Sequence, residues 1–159
     1  MKSFSTAAFT PLAVLLLAAL MFIGNAGHQG VWSDEGWNLW VTDTDAPTIL
    51  ARLAENHHPP AYFLSLAAWR DVTGESRVAL RWLTIMGGVL TVALIYRIGS
   101  DQFGRAAGGF AAALFAVMEQ PIYYAQAMRH YGWLALGVCA MTLLLLRIMR
   151  HRHSPAPLG

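Results

Sequence analysis

The stretch that decides the fold is Trp82–Tyr96, which reads WLTIMGGVLTVALIY and carries no Asp, Glu, Lys or Arg. Three further charge-free stretches contain 31 residues between Lys2 and Asp34, 13 between Arg105 and Glu119, and 17 between Arg129 and Arg147. A membrane-spanning helix needs about 20 mostly apolar residues, and long basic side chains at its ends can extend to the interface. We therefore predict an all-α integral membrane protein with about four transmembrane helices, near residues 8–26, 79–98, 105–124 and 131–149.

The composition supports this prediction and excludes other classes of protein. Of the 159 residues, 56% are hydrophobic and only 13% are charged, about half the charged fraction of a soluble domain. A net charge of +2 with a single lysine, Lys2, is too small for a nucleic-acid binder. The one cysteine, Cys139, excludes an internal disulfide and a cysteine-based zinc cluster.

The distribution of basic residues predicts the orientation in the membrane. With the N-terminus inside, the inner segments hold six bases and one acid, Asp101, whereas the outer segments hold eight acids. The positive-inside rule then places residues 27–78 outside as a long loop and residues 151–159 inside as a cytoplasmic tail. Alternatively, the apolar run that ends at Gly24-Asn25-Ala26 is a cleaved signal peptide, although its length and the three spans that follow favour a retained helix.

The long outer loop contains its own helical signals. Residues 35–55 predict one or two short helices broken near Asp45-Ala46-Pro47, with tryptophans at the membrane interface. Residues 60–70 predict an apolar helix opened by proline, followed by a turn at Thr73-Gly74-Glu75.

Three groups of polar residues could carry chemistry. Asp34 either caps a helix, with Glu35 favoured by the helix dipole, or the two carboxylates bind a divalent metal or act as a general base. His57 and His58 either form a polar turn or supply one metal ligand, since adjacent side chains point apart. Arg81 and Arg129 either extend to lipid headgroups or donate to a lipid phosphate, and Gln126 would share a helical face with Arg129.

The order of these segments resembles the GT-C membrane glycosyltransferases of the protein O-mannosyltransferase type (glycosyltransferase family 39-like). That group includes aminoarabinose transferases of lipid A and RgtA/B/C/D-like lipopolysaccharide sugar transferases. The resemblance covers roughly residues 10–147 and rests on Trp32-Ser33-Asp34-Glu35, residues 57–63, Gly74-Glu75, Val78-Ala79-Leu80-Arg81, Phe103-Gly104-Arg105 and residues 123–131.

The resemblance implies that the chain forms the N-terminal part of a GT-C fold in the cell inner (plasma) membrane. Such enzymes transfer a sugar from a polyprenyl-phosphate donor to a lipid, glycan or protein acceptor at the outer face. Asp34 would be the catalytic base or position the acceptor, with Glu35 as its companion. Residues that would contact the donor phosphate are drawn from His57, His58, Arg81, Gln126, Arg129 and Tyr131. Alternatively, Glu35 and His58 would hold a divalent metal.

The chain is several times shorter than such relatives. The expectation is therefore a fragment, a truncated product or a separately encoded half, with the missing C-terminal half as a possible second chain. The alternative function is that of a non-catalytic small membrane subunit for transport or assembly. Because the span interiors hold almost no ionisable groups, whereas the acids gather in the outer loop, the sequence favours chemistry on a lipid-linked substrate.

Overall fold

The computed structural model describes residues 6–153, and over this range the chain is helical with no strand. The eight helices are α1 (Thr6–Ile23), α2 (Ser33–Val41), α3 (Ala46–Glu55), α4 (Pro60–Thr73), α5 (Arg77–Phe103), α6 (Arg105–Val117), α7 (Glu119–Gln126) and α8 (Tyr131–His153). The predicted all-α class is confirmed. Residues 154–159, most of the predicted tail, lie outside the described residues, and α8 continues through residues 151–153.

Helix α5 lies at the centre of the fold. It packs against α1, α4, α6, α7 and α8. One apolar core forms where α1, α5, α6 and α7 meet, around Phe22, Ile85, Val92 and Ala112, all at most 1% exposed. Consequently α5 positions every other long helix.

Two helices are long and apolar enough to cross a membrane, α5 over Arg77–Phe103 and α8 over Tyr131–Arg150. Within the described part of the chain, Thr10–Ile23 and Arg105–Val117 form shorter apolar helices. These lengths are compatible with a membrane protein. They do not establish the predicted number of four spans.

The prediction of one continuous helix near 105–124 is wrong. The chain leaves the helical conformation at Met118, where φ is −69° and ψ is 142°, and a new helix begins at Glu119. Pro121 has no N–H to donate to the carbonyl of Val117, so the hydrogen-bond ladder of α6 cannot continue through it. Helix α7, which follows the break, packs against α1, α5, α6 and α8.

The predicted outer loop folds into three short helices, as expected. The first two are separated at Asp45, whose side chain accepts a hydrogen bond from the Thr48 N–H at 3.3 Å and caps α3. Hydrogen bonding to the Thr48 side chain is the largest cause that lowers the pKa of Asp45 below its usual value, and the backbone N–H of Thr48 lowers this pKa further. Helix α4 begins at Pro60, as the sequence predicts, and ends at Gly74, whose φ of 74° suits glycine.

Helices α2, α3 and α4 share a second apolar core with the start of α5. Its most buried members are Val41, Ile49, Leu53, Phe63 and Leu66, all at most 1% exposed. The loop is therefore a packed unit on the N-terminal end of α5, which gives the polar residues of α2 a fixed position.

Glycines allow the long helices to approach closely, as the sequence predicts for helices packed in lipid. A Cβ on Gly108 of α6 would lie 2.6 Å from the backbone N of Ser100 and 2.6 Å from the carbonyl O of Tyr96 on α5. A Cβ on Gly132 at the start of α8 would lie 2.7 Å from the carbonyl O of Thr84. Both contacts are with backbone atoms, which cannot move aside as a flexible side chain can.

We predict that Gly108→Ala destabilises the protein by about 1–3 kcal/mol, because the added methyl group separates α5 from α6. Gly137→Ala on α8 is the matched control, since a Cβ there meets no atom within 4 Å. Alanine is the better helix former, so the control should be neutral or more stable by up to about 1 kcal/mol. Thermal unfolding in detergent, followed by circular dichroism, measures both variants, and equal melting temperatures would contradict the close-packing interpretation.

Candidate functional site

A sealed ion pair joins α2 to α5. The Arg81 Nε donates to Glu35 Oε1 at 3.1 Å and Nη2 donates to Glu35 Oε2 at 2.7 Å, a two-pronged contact. Both side chains are 0% exposed. Glu35 Oε1 also accepts a hydrogen bond from the backbone N–H of Met128 at 2.7 Å. The pair therefore fixes α2 against both α5 and the segment between α7 and α8.

Arg81 has no donor left for a substrate. Its Nη1 donates to the carbonyl oxygens of Ala26 at 2.6 Å and Gln29 at 3.0 Å, and its Nη2 also donates to that of Gly30 at 3.0 Å. A guanidinium carries five N–H donors, and these three contacts together with the two to Glu35 occupy all five. The expectations that Arg81 extends to lipid headgroups or binds a lipid phosphate are contradicted by this geometry, and Arg81 instead anchors the chain after α1.

Both carboxylate oxygens of Glu35 are likewise occupied by hydrogen bonds within the protein. A general base or metal ligand needs an accessible oxygen, but both carboxylate oxygens are buried and held by Arg81 and Met128. A divalent cation at this position would also face the Arg81 guanidinium. The geometry therefore does not fit the roles of catalytic companion and metal ligand expected for Glu35.

Asp34, the neighbouring residue, points toward solvent. Its carboxylate is 43% exposed and its Oδ2 lies 3.5 Å from Arg129 Nη2. Asp34 is the second residue of α2 and Trp32 occupies the cap position, without a side-chain cap hydrogen bond. The N-cap interpretation of Asp34 is therefore wrong, although a carboxylate in the first turn still interacts favourably with the helix dipole.

Arg129 is buried but only partly paired. Its Nη1 donates to Asn38 Oδ1 at 3.2 Å, and its guanidinium carbon lies 5.8 Å from the centre of the Tyr131 ring. Its Nε is buried and has no hydrogen-bond partner. The edge formed by Nε and Nη2 thus makes only the long contact with Asp34, and this two-pronged donor is incompletely paired beside a carboxylate.

Asn38 holds Arg129 in place, and sequence reasoning missed it. The side chain is 0% exposed, and its Nδ2 donates to the carbonyl O of Met128 while its Oδ1 accepts from Arg129. Asn38 follows Asp34 by four residues, so the two side chains share one face of α2. That spacing is the sequence signal that could have identified it.

Gln126 and Arg129 do not share a helical face, because α7 ends at Gln126. The Gln126 Nε2 donates to the carbonyl O of Met21 at 3.1 Å, and its Oε1 accepts from Gln29 Nε2 at 3.1 Å. Gln126 therefore ties α7 to the end of α1 and belongs to a different hydrogen-bond network from Arg129.

The two adjacent histidines take different positions. His57 has a φ of 57° and follows the end of α3, where its N–H donates to Ala54 O and the His58 N–H donates to Leu53 O. These two bonds form a Schellman motif, so His57 is an exposed turn residue. The His58 ring stacks on Trp37 and Phe63, with centroid distances of 4.8 and 5.8 Å. The two adjacent side chains therefore have different surroundings, one in solvent and one among aromatic rings.

A pocket of about 360 Å³ lies between α4, α5 and α8, close to Arg129. It is mostly apolar and is lined by Pro59, Ala61, Tyr62, Ser65, Leu83, His130, Trp133 and Leu134. Burial is the main cause that raises the pKa of Tyr62 and lowers the pKa of His130, so both side chains are neutral at pH 7. Sequence reasoning omitted His130, although it lies next to Arg129 in the chain.

The described residues do not form a metal centre. No group of three or more His, Cys, Asp and Glu side chains converges within residues 6–153. Of the two expected ligands, Glu35 is bound to Arg81 and the His58 ring stacks on Trp37. The surroundings of Glu35 and His58 therefore do not fit the metal site expected from the sequence.

We predict that Glu35→Gln and Arg81→Lys each destabilise the protein by about 3–5 kcal/mol, since each leaves buried charge or donors unpaired. Arg97→Lys is the control, because the Arg97–Asp101 pair lies on one exposed helical face and Arg97 is 58% exposed. Such a pair contributes about 0.5 kcal/mol or less. Thermal unfolding in detergent tests this prediction, and a melting temperature unchanged by Glu35→Gln would show that the buried pair does not stabilise the fold.

A family model described as dolichyl-phosphate-mannose-protein mannosyltransferase matches residues 57–156, well over half of the chain. The match includes α4 to α8 and therefore His58, Arg81, Arg129 and Tyr131, whereas Asp34 and Glu35 precede it. No curated protein and no solved structure matches the chain.

Proposed function

Because the chain belongs to the dolichyl-phosphate-mannose-protein mannosyltransferase family, we propose that it takes part in sugar transfer from a polyprenyl-phosphate donor to an acceptor hydroxyl or amine. The family is one of GT-C type glycosyltransferases, and its members use lipid-linked donors in a membrane. The apolar helices α5 and α8 agree with that setting. The acceptor can be a lipid, a glycan or a protein.

The observation that carries the proposal is the incompletely paired edge of Arg129. Of the two arginines in the polar centre, Arg81 has all five donors occupied, whereas Arg129 presents Nε and Nη2 on one side. This edge matches the spacing of two phosphate oxygens, which a guanidinium binds with two parallel hydrogen bonds. Arg129 is therefore the residue that we assign to the donor phosphate.

Asp34 supplies the second function of the site. Its exposed carboxylate contacts Arg129 Nη2 loosely at 3.5 Å, so an incoming phosphate would displace it from the guanidinium. The freed carboxylate would then accept a proton from the acceptor, within reach of the sugar.

The transfer step can be written with these two residues. The acceptor oxygen or nitrogen forms a bond to the anomeric carbon of the sugar, while the bond from that carbon to the phosphate oxygen breaks. Asp34 takes the proton of the acceptor. The bonding electrons leave with the polyprenyl phosphate, whose added negative charge Arg129 stabilises.

The orientation of the chain completes the proposal. Helices α2 to α4 would lie at the outer face of the plasma membrane, where the lipid-linked donor is presented, and the C-terminal end of α8 would lie inside. The charge distribution along the sequence supports this orientation, because the short predicted inner segments hold six bases and one acid, whereas the outer segments hold eight acids.

We expect Arg129→Lys to weaken binding of a short-chain polyprenyl-phosphate mannose about tenfold, because an ammonium cannot form the two parallel hydrogen bonds. Arg77→Lys is the matched control, since Arg77 is an exposed arginine at the first position of α5. Binding is measured by equilibrium titration of radiolabelled donor onto the purified chain in detergent. The same dissociation constant for the Arg129→Lys variant and the wild type would contradict the phosphate role.

We expect Asp34→Asn to separate donor binding from transfer. The asparagine removes the proton acceptor but also frees the Arg129 edge, so the donor should bind at least as tightly while sugar transfer is lost. Transfer is measured with membranes that contain the chain and a radiolabelled donor, and thermal unfolding verifies that the variant is folded. Transfer at the wild-type rate, or donor binding that is lost together with transfer, would contradict the assigned role of Asp34.

A further inference from the structure

Two of the buried polar atoms in the structure that lack a partner lie on adjacent residues. Among the described residues, the side-chain atoms that are buried without a hydrogen bond are Ser100 Oγ, Arg129 Nε and His130 Nδ1. Ser100 lies in the tight contact between α5 and α6, far along the chain from the site. A buried polar atom without a partner is unfavourable, so two of them on adjacent residues indicate a place where a ligand could supply the missing partner.

Both side chains lie close to the same ring. The Arg129 guanidinium carbon is 5.8 Å from the centre of the Tyr131 ring, and the His130 and Tyr131 rings are 4.8 Å apart. Tyr131 is thus a common neighbour of the two side chains that carry the unpartnered nitrogens.

The surroundings of His130 indicate its charge. Burial is the largest cause that lowers its pKa, and the nearby Arg129 and His58 side chains lower it further. The other rings that face it belong to Tyr62, at 6.2 Å, and to Tyr131, and burial raises the pKa of Tyr62, which is therefore uncharged at pH 7. A neutral imidazole has one N–H to donate, and it avoids adding a second positive charge beside Arg129.

We propose that His130 is a second binding residue for the phosphate of the lipid-linked substrate, donating from Nδ1 to a phosphate oxygen next to the one bound by Arg129. This inference rests on the proposed function, in which Arg129 binds that phosphate. It adds a residue outside the set expected from the sequence and converts a two-pronged site into a three-point site.

The pocket beside His130 indicates what else the ligand carries. His130 is one of its lining residues, and most of the others carry apolar side chains, including Leu83, Trp133 and Leu134. A ligand whose phosphate contacts Arg129 and His130 would therefore place apolar groups in the pocket. Inorganic phosphate would satisfy the polar part alone, so the two sources of phosphate can be distinguished by affinity.

The experiment titrates radiolabelled farnesyl phosphate onto the purified chain in detergent, with inorganic phosphate and farnesol as competitors. His130→Asn retains an amide nitrogen near the position of Nδ1, whereas His130→Leu retains none, and His130→Gln places its nitrogen near the position of Nε2. We expect the asparagine variant to bind within about threefold of wild type and the leucine and glutamine variants to bind about tenfold more weakly. His28→Leu is the control, because His28 is exposed.

Each outcome decides between the proposals. Wild-type affinity in the His130→Leu variant, together with weak binding by the Arg129→Lys variant, overturns the role of His130 and leaves the proposed function intact. Wild-type affinity in both variants overturns both. Full rescue by glutamine and none by asparagine overturns the assignment to Nδ1.

Thermal unfolding of each variant verifies that a loss of binding is not caused by a loss of folding. Inorganic phosphate that competes as strongly as unlabelled farnesyl phosphate would overturn the pocket's contribution to binding.

Discussion

The buried pair between Glu35 and Arg81 is the interaction on which the rest of the site depends. Two ions removed from water are tolerated only when every donor and acceptor is satisfied, and here Arg81 donates to Glu35 and to three backbone carbonyls of residues 26–30. Glu35 in turn holds the backbone of Met128. The pair thus joins α2, α5, the chain after α1 and the chain after α7 at one point.

This junction explains why two adjacent acids have different roles. Successive residues of a helix point about 100° apart, so once Glu35 faces α5, Asp34 must face away from it. The structure shows this difference as a carboxylate that is 43% exposed beside one that is 0% exposed. The buried acid fixes the position of α2, and α2 presents the exposed acid to Arg129.

The two arginines also differ in how completely the protein pairs their donors. Arg81 on α5 is saturated by the protein, whereas Arg129 lies in the irregular segment between α7 and α8 and is steadied through Nη1 by Asn38. That segment exists because α6 ends before Pro121 and α7 ends at Gln126. A partly paired cation next to an exposed carboxylate and an apolar pocket suits an amphipathic phosphate ligand, which agrees with the family to which the chain belongs.

The sequence by itself determined the helical class, the apolar stretches of α5 and α8, the break at Asp45, the start of α4 at Pro60 and the resemblance to GT-C glycosyltransferases. These features depend on local composition, proline and short-range capping, which neighbouring residues specify. The tertiary structure decided which acid is buried and which is exposed, which arginine is fully paired, that Asn38 pairs with Arg129, and that His130 lines an apolar pocket. The pairings of Glu35 with Arg81 and of Asp34 with Arg129 join positions that are far apart in the chain. Helix packing sets such pairings, and no local pattern contains them.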